Sequence, residues 1–244
     1  MIQQGQSQTT DTRSYPDFFR RTTPLHVNRS QVVLQWALRE FGDELVLATS
    51  LGPQSLVILD LLASLECGVR TIFLDTGLMF DETVQLKDRV ERHFGIAIES
   101  VRPMQTVEEM SQREGPTLWQ LDPDRCCALR KVEPLRRALA GERAWITGIR
   151  RSHSKTRAET QPIEWDENHG LVKVNPLAEW TREQVMEHLE ENGVPYNPLL
   201  RDGYTSIGCS PCTRRASGSD DERAGRWAGN QKTECGIHGP SGKN

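Results

Sequence analysis

Aromatic residues make up only 6% of the 244 residues, and no apolar stretch approaches the roughly 18 residues that a membrane-spanning helix needs. The opening MIQQGQSQTTDTRS has no apolar segment of the kind a secretory signal carries. Positive charge is not in excess either. Thirty Lys and Arg face 34 Asp and Glu for a net charge of −4, which argues against broad attraction to nucleic acid or an anionic membrane. Two familiar phosphate-binding signatures are also missing, the G-K-[ST] of a Walker A loop and the dinucleotide pattern G-x-G-x-x-G. These absences point to a soluble cytoplasmic protein that meets any anionic ligand with local clusters of Lys and Arg. The hydrophobic share of 36% is lean but sufficient for one sizeable α/β domain with an appended segment.

Apolar runs of strand length occur at 44–50, 69–76, 96–101, 143–150 and 171–177, and helical patterns separate them. Ser30 is a candidate N-cap for a helix carrying Val32, Val33, Trp36, Ala37 and Phe41. Further helices are expected over SLVILDLLASLE, from Asp81 towards Phe94, near Val132–Ala140, and after Thr181. This alternation predicts an α/β fold, a mostly parallel sheet with helices on both faces. Residues 1–25 are predicted to be a polar N-terminal arm, 26–200 the α/β nucleotide-binding domain, and 201–244 an irregular C-terminal segment built for a site.

In such sheets ligands bind beyond the carboxyl ends of the strands. Thr49-Ser50-Leu51-Gly52-Pro53-Gln54-Ser55 follows the first strand and could cradle a phosphate at a helix N-terminus, or could be an ordinary strand–helix turn. After the fourth strand, Gly148–Arg157 carries Arg150, Arg151, Lys155 and Arg157, either an anion site or a solvated basic face.

Six cysteines need an account. Cys67 ends an apolar helical pattern and is read as a small buried residue. Cys126-Cys127 and Cys209-Ser210-Pro211-Cys212 form two close pairs, suited to zinc or to an iron–sulfur cluster. Adjacent side chains diverge, which is awkward for one tetrahedral ion and easier for a 4Fe–4S cube that offers each thiolate its own iron. A redox pair at 209–212 is the remaining alternative. Cys235, in Glu234-Cys235-Gly236-Ile237-His238, is either a reactive thiolate with a cationic neighbour or an exposed thiol in a tail.

Together, LDTG at 74–77, CC followed by ALRKVEPL at 126–135, GCSPC at 208–212 and ECGIH at 234–238 resemble the thioredoxin-dependent assimilatory adenylyl-sulfate and phosphoadenylyl-sulfate reductases, over residues 30 to 239. The resemblance implies an adenine nucleotide alpha-hydrolase-like fold. It implies that Thr49, Ser50, Gly52 and Ser55 belong to the phosphate loop, with Asp75, Thr76 and Gly77 around the nucleotide, and that Gly148 and Arg150 open a nucleotide-binding loop. It also implies that Lys131, Arg223, Arg226 and His238 hold the sulfate end of the substrate. Cys235 corresponds to the catalytic cysteine, and Cys126, Cys127, Cys209 and Cys212 correspond to the ligands of a 4Fe–4S cluster that does not pass electrons to substrate. The implied reaction turns adenylyl sulfate into sulfite and AMP through an S-sulfocysteine, with thioredoxin or a glutaredoxin-like protein as donor; self-association is left open.

The cysteine pairs favour adenylyl sulfate as substrate. Gln54-Ser55 departs from the acidic residues common in cluster-bearing members, which keeps phosphoadenylyl sulfate, or both substrates, as the alternative. A tRNA thiolation enzyme is a remote alternative, since 49–55 lacks the SGGxDS pattern it requires.

Overall fold

The computed structural model describes residues 26–216, 221–227, 229–230 and 232–238. The predicted arm, 1–25, and the last residues, 239–244, lie outside the described residues. Helix α1 (His26–Phe41) precedes β1 (Leu45–Thr49), which leads into α2 (Pro53–Ser64). β2 (Arg70–Leu74), α3 (Asp81–Phe94) and β3 (Ile98–Val101) follow. Three short helices, α4 (Val107–Glu114), α5 (Leu118–Leu121) and α6 (Pro123–Cys127), run into a π-helical stretch over Ala128–Val132 and then α7 (Glu133–Ala138). β4 (Ala144–Ile146), β5 (Ile163–Asp166), β6 (Leu171–Val174) and α8 (Arg182–Glu191) complete the regular elements.

The six strands lie in the order β3-β2-β1-β4-β6-β5, parallel except for the β5–β6 pair. β1 is thus flanked by β2 and β4, and the order of winding reverses there, which opens a crevice at the carboxyl ends of β1 and β4.

Side chains alternate across the sheet as the period of two requires. Leu45, Leu47, Phe73, Ala144, Ile146, Val172 and Val174 enter a large core with α1, α2, α3 and α8. Val46, Ile72, Trp145 and Leu171 face the other way, onto α7 residues Leu135 and Ala138 and onto Ile237 of the C-terminal segment. Both faces are covered, and part of the second cover is the tail itself. Among the described residues no helix is long and apolar enough to cross a membrane.

Three local expectations differ from the structure. Ser30 is no N-cap: α1 begins at His26, and Ser30 is buried, donating to the Pro176 carbonyl at 2.7 Å and accepting from Trp180 Nε1 at 2.8 Å. Cys67 is exposed, because α2 ends at Ser64 and the chain turns at Glu66 (φ 54°), beyond the apolar stripe. The helix expected near Val132 begins instead at Pro123, where the Asp122 carboxylate accepts the Arg125 N–H at 2.9 Å. Thr181 caps α8 as expected, in a capping box with Gln184.

Replacing Ser30 by Ala removes one hydroxyl that satisfies two core partners, and is expected to cost about 1–3 kcal/mol in urea unfolding with an unchanged m-value.

Candidate active site

A cavity of about 190 Å³ opens at the switch point. Thr49, Ser50, Gly52 and Ser55 form one wall, and Gly148 closes against them. A Cβ at Gly148 would stand 3.0 Å from the Gln54 Cβ and 3.3 Å from the Ser55 nitrogen, so glycine permits the two loops to meet. Thr49 Oγ1 donates to Ser55 Oγ at 2.8 Å and accepts the Leu51 N–H at 2.8 Å, which fixes the turn ahead of α2.

The opposite wall holds Lys131, Arg157, Arg223, Arg226, Cys235 and His238. The thiol of Cys235 is half-buried. Burial opposes its ionisation, but Lys131, the Ile237 N–H, Arg226 and Arg223 outweigh that and hold its pKa below the usual cysteine value. The cationic neighbour expected in His238 is not one: burial first, then Arg157, Lys173 and Arg223, push its pKa well below normal, and the imidazole is neutral. Burial lowers the Arg223 pKa to about 10, so its guanidinium stays charged at neutral pH.

Three buried donor atoms in this wall, Arg223 Nε, Arg226 Nε and His238 Nδ1, have no hydrogen-bond partner among the described residues. Buried polar groups are rarely left so. Three of them in a lining shared with the Cys235 thiol suit the oxygens of an anion.

The loop after β4 divides its arginines. Arg157 lines the cavity and pairs with Glu234 at 2.7 Å, as does Arg223 at 3.2 Å. Arg150 is fully buried behind the cavity wall, paired with Glu222 at 2.6 Å and donating to Ser152 Oγ at 2.6 Å. Arg151 turns to Glu179 at 3.1 Å. His153 lies among these arginines, and burial together with Arg150 and Arg157 lowers its pKa to about 2.

A second, narrower cavity is lined by Cys126, Cys127, Cys209 and Cys212 with Leu78, Pro123, Arg130, Lys131 and Trp227. Lys131 is the residue common to both linings. Burial raises the Cys126 and Cys127 pKa values to about 11 and about 12, so these thiols ionise only when something binds them. Among the described residues no three His, Cys, Asp or Glu side chains are placed to hold a single metal ion. Trp227 brings a buried indole N–H without a partner to the same cavity.

Asp75, Thr76 and Gly77 do not line the large cavity. Thr76 Oγ1 lies 3.3 Å from Cys209 Sγ, a backbone bond of 2.8 Å joins Ser210 to Leu78, and Gly77 packs on Arg130. Asp75 pairs with Arg102 at 2.8 Å. This loop buttresses the C-x-x-C turn.

Residues 44–215 match the family profile of the phosphoadenosine phosphosulfate reductase domain. The chain belongs to that family. An adenosine 5'-phosphosulfate reductase of Streptomyces coelicolor is 49% identical to it over 207 residues, covering 85% of this chain and 87% of the relative. A phosphoadenosine 5'-phosphosulfate reductase of Gloeobacter violaceus is 47% identical over 211 residues, covering 85% and 88%. The structure of Candida auris phosphoadenylyl-sulfate reductase with phosphate matches at a TM-score of 0.68 and 33% identity, covering 80% of this chain and 98% of that one. Candida glabrata FMN adenylyltransferase, 17% identical with a TM-score of 0.56 over 86% of this chain and 74% of its own, shares the fold alone. Membership of the phosphosulfate reductase domain family sets aside the tRNA thiolation alternative. Of the arginines in the run after β4, Arg157 is the one that lines the cavity. Arg182 and Trp145 line it too, and the sequence distinguishes neither: a helix-start arginine and a buried strand tryptophan carry no local signal.

Lys131→Met removes the cation that most favours ionisation of Cys235. Its expected effect is an upward shift in the pH midpoint of Cys235 alkylation by iodoacetamide, followed by peptide mass analysis.

Proposed function

We propose that this oxidoreductase reduces adenylyl sulfate to sulfite and AMP, in the cytoplasm and as a step of sulfate assimilation. The observation that carries this reading is the group of orphaned donors on Arg223, Arg226 and His238, set around a thiol whose pKa is held down. The adenylyl group would lie along Thr49–Ser55 and Gly148, in a domain of residues 26–200, while residues 201–244 supply the sulfate end of the site. Arg150, paired with Glu222, braces the loop that carries Arg157.

The Cys235 thiolate attacks the sulfonyl sulfur in line with the bridging oxygen. The new S–S bond forms as the sulfur–oxygen bond breaks, and the bonding pair leaves on AMP. Lys131, Arg223 and Arg226 oppose the charge building on the sulfonyl and phosphate oxygens, and neutral His238 donates a hydrogen bond. A thiolate of a dithiol donor, thioredoxin or a glutaredoxin-like protein, then attacks Cys235 Sγ and expels sulfite. The donor's second thiol breaks the resulting mixed disulfide, returns Cys235 to its thiolate, and leaves the donor oxidised by two electrons.

An adjacent cysteine pair and a C-x-x-C lining one cavity suit a 4Fe–4S cluster on Cys126, Cys127, Cys209 and Cys212 better than zinc, since each thiolate can take its own iron, and Trp227 brings an indole N–H without a partner among the described residues. Bound there, the cluster would supply negative charge and rigidity beside Lys131.

Cys235→Ser should abolish sulfite formation while iron and acid-labile sulfide remain, and Arg226→Met should lower kcat/KM by about two to three orders of magnitude. Sulfite formation by Cys235→Ser at the native rate would refute the reading.

Arg182 favours a second substrate. It lines the cavity and makes no ion pair among the described residues, and Gln54 in the same lining carries no negative charge. A 3′-phosphate would be admitted there, giving use of phosphoadenylyl sulfate as well. The measurement is kcat/KM for both compounds: Arg182→Ala should depress the 3′-phosphorylated one by about tenfold or more and spare adenylyl sulfate.

A further inference from the structure

Of the three β4 residues, Trp145 alone faces the side of the sheet that the tail covers. Its side chain is 1% exposed and lines the large cavity. The indole N–H donates to Asp166 Oδ2 at 3.1 Å, an oxygen that His169 Nδ1 also meets at 3.0 Å, while Asp166 Oδ1 accepts the Asn168 N–H at 3.0 Å. Lys173, paired with Glu164 at 3.0 Å, lies 5.9 Å from the ring centre. These contacts, all from β5, β6 and the turn between them, leave the indole one orientation. Its ring is stacked on His238, with centroids 5.4 Å apart and planes at 14°. Ile237 and Cys235 pack in the same apolar cluster.

Such an arrangement exceeds what a core tryptophan needs. A ring locked by its N–H presents its face to the residue three positions after Cys235, in a segment that has no regular helix or strand of its own. We propose that Trp145 is a positioning residue: it is the platform on which His238 stacks, and through that stack it seats the Cys235 thiol in the cavity, with Asp166 fixing the platform. The part of this that concerns the reaction rests on Cys235 being the nucleophile; the seating of the tail does not.

Iodoacetamide alkylation of Cys235 in the substrate-free protein reads the seating without chemistry. Trp145→Leu should raise that rate about tenfold and slow S-sulfocysteine formation in a single turnover by a similar factor, while the Kd for AMP stays within about twofold. Trp145→Phe keeps a stacking face and should restore both rates to within about threefold of native. In a His238→Ala background, Trp145→Leu should have little further effect, because the two share one interaction. Asp166→Asn should loosen the platform and raise alkylation about threefold, and it decides the matter if Trp145→Leu does not fold. Native alkylation rates in folded Trp145→Leu or Asp166→Asn, or a full additional effect of Trp145→Leu without His238, would overturn the proposal. Raised alkylation with no S-sulfocysteine in any variant or in the native protein would instead sink the assignment of Cys235 as nucleophile.

Discussion

The Lys131 ammonium is the point on which the two halves of the site depend. Burial alone would drive it towards the neutral amine, whereas negative charge on the sulfurs of Cys209, Cys235 and Cys127 raises its pKa above normal. The same charge lowers the pKa of Cys235. One cation therefore has to be reached by three separate pieces of chain: the helix of Cys126 and Cys127, the C-x-x-C turn, and the tail. The π-helical stretch over Ala128–Val132 lies where this convergence is made, with the cysteine pair just ahead of it and Lys131 inside it. Single-turn π insertions are frequent at functional sites, and here the irregularity belongs to the helix that lines both cavities.

An acidic protein that binds an anion must keep its positive charge local, and the C-terminal segment regulates how much of it is free. Glu222 neutralises Arg150, and Glu234 is shared between Arg157 and Arg223. Lys131 and Arg226 make no ion pair among the described residues, and both favour ionisation of Cys235. The carboxylates also tie the segment to the loop after β4, so charge balance and tail placement are achieved by the same bonds. His153 and His238, both kept neutral by burial and then by surrounding arginines, add polarity without adding to the repulsion.

Much of the fold was legible because its strands are short apolar runs at the ends of which small polar or charged residues cluster. β5 was not: Ile163–Asp166 is an edge strand in which Glu164 and Trp165 are not buried, so it lacks an apolar run. The cysteine pairs announced themselves by spacing, while family motifs carried Cys235, locally ambiguous, together with Arg223, Arg226 and His238, each of which has a buried side-chain nitrogen without a partner among the described residues. The contacts of the LDTG loop with Cys209 and Ser210 are with distant sequence, which no local pattern reports. Trp145 was invisible because it looks like any core residue until the tail is brought against it, whereas Arg157 was legible only as one member of a cationic run.

Gly208, the residue before Cys209, has the Arg226 guanidinium packed where a Cβ would stand. The turn that carries two of the thiols and an arginine that lines the large cavity with Cys235 are thus in van der Waals register, with no side chain between them to absorb movement. On the proposed reading, a disturbance at Cys209 or Cys212 would reach the anion through Arg226, and affinity for the anion would then gauge the integrity of the sulfur centre.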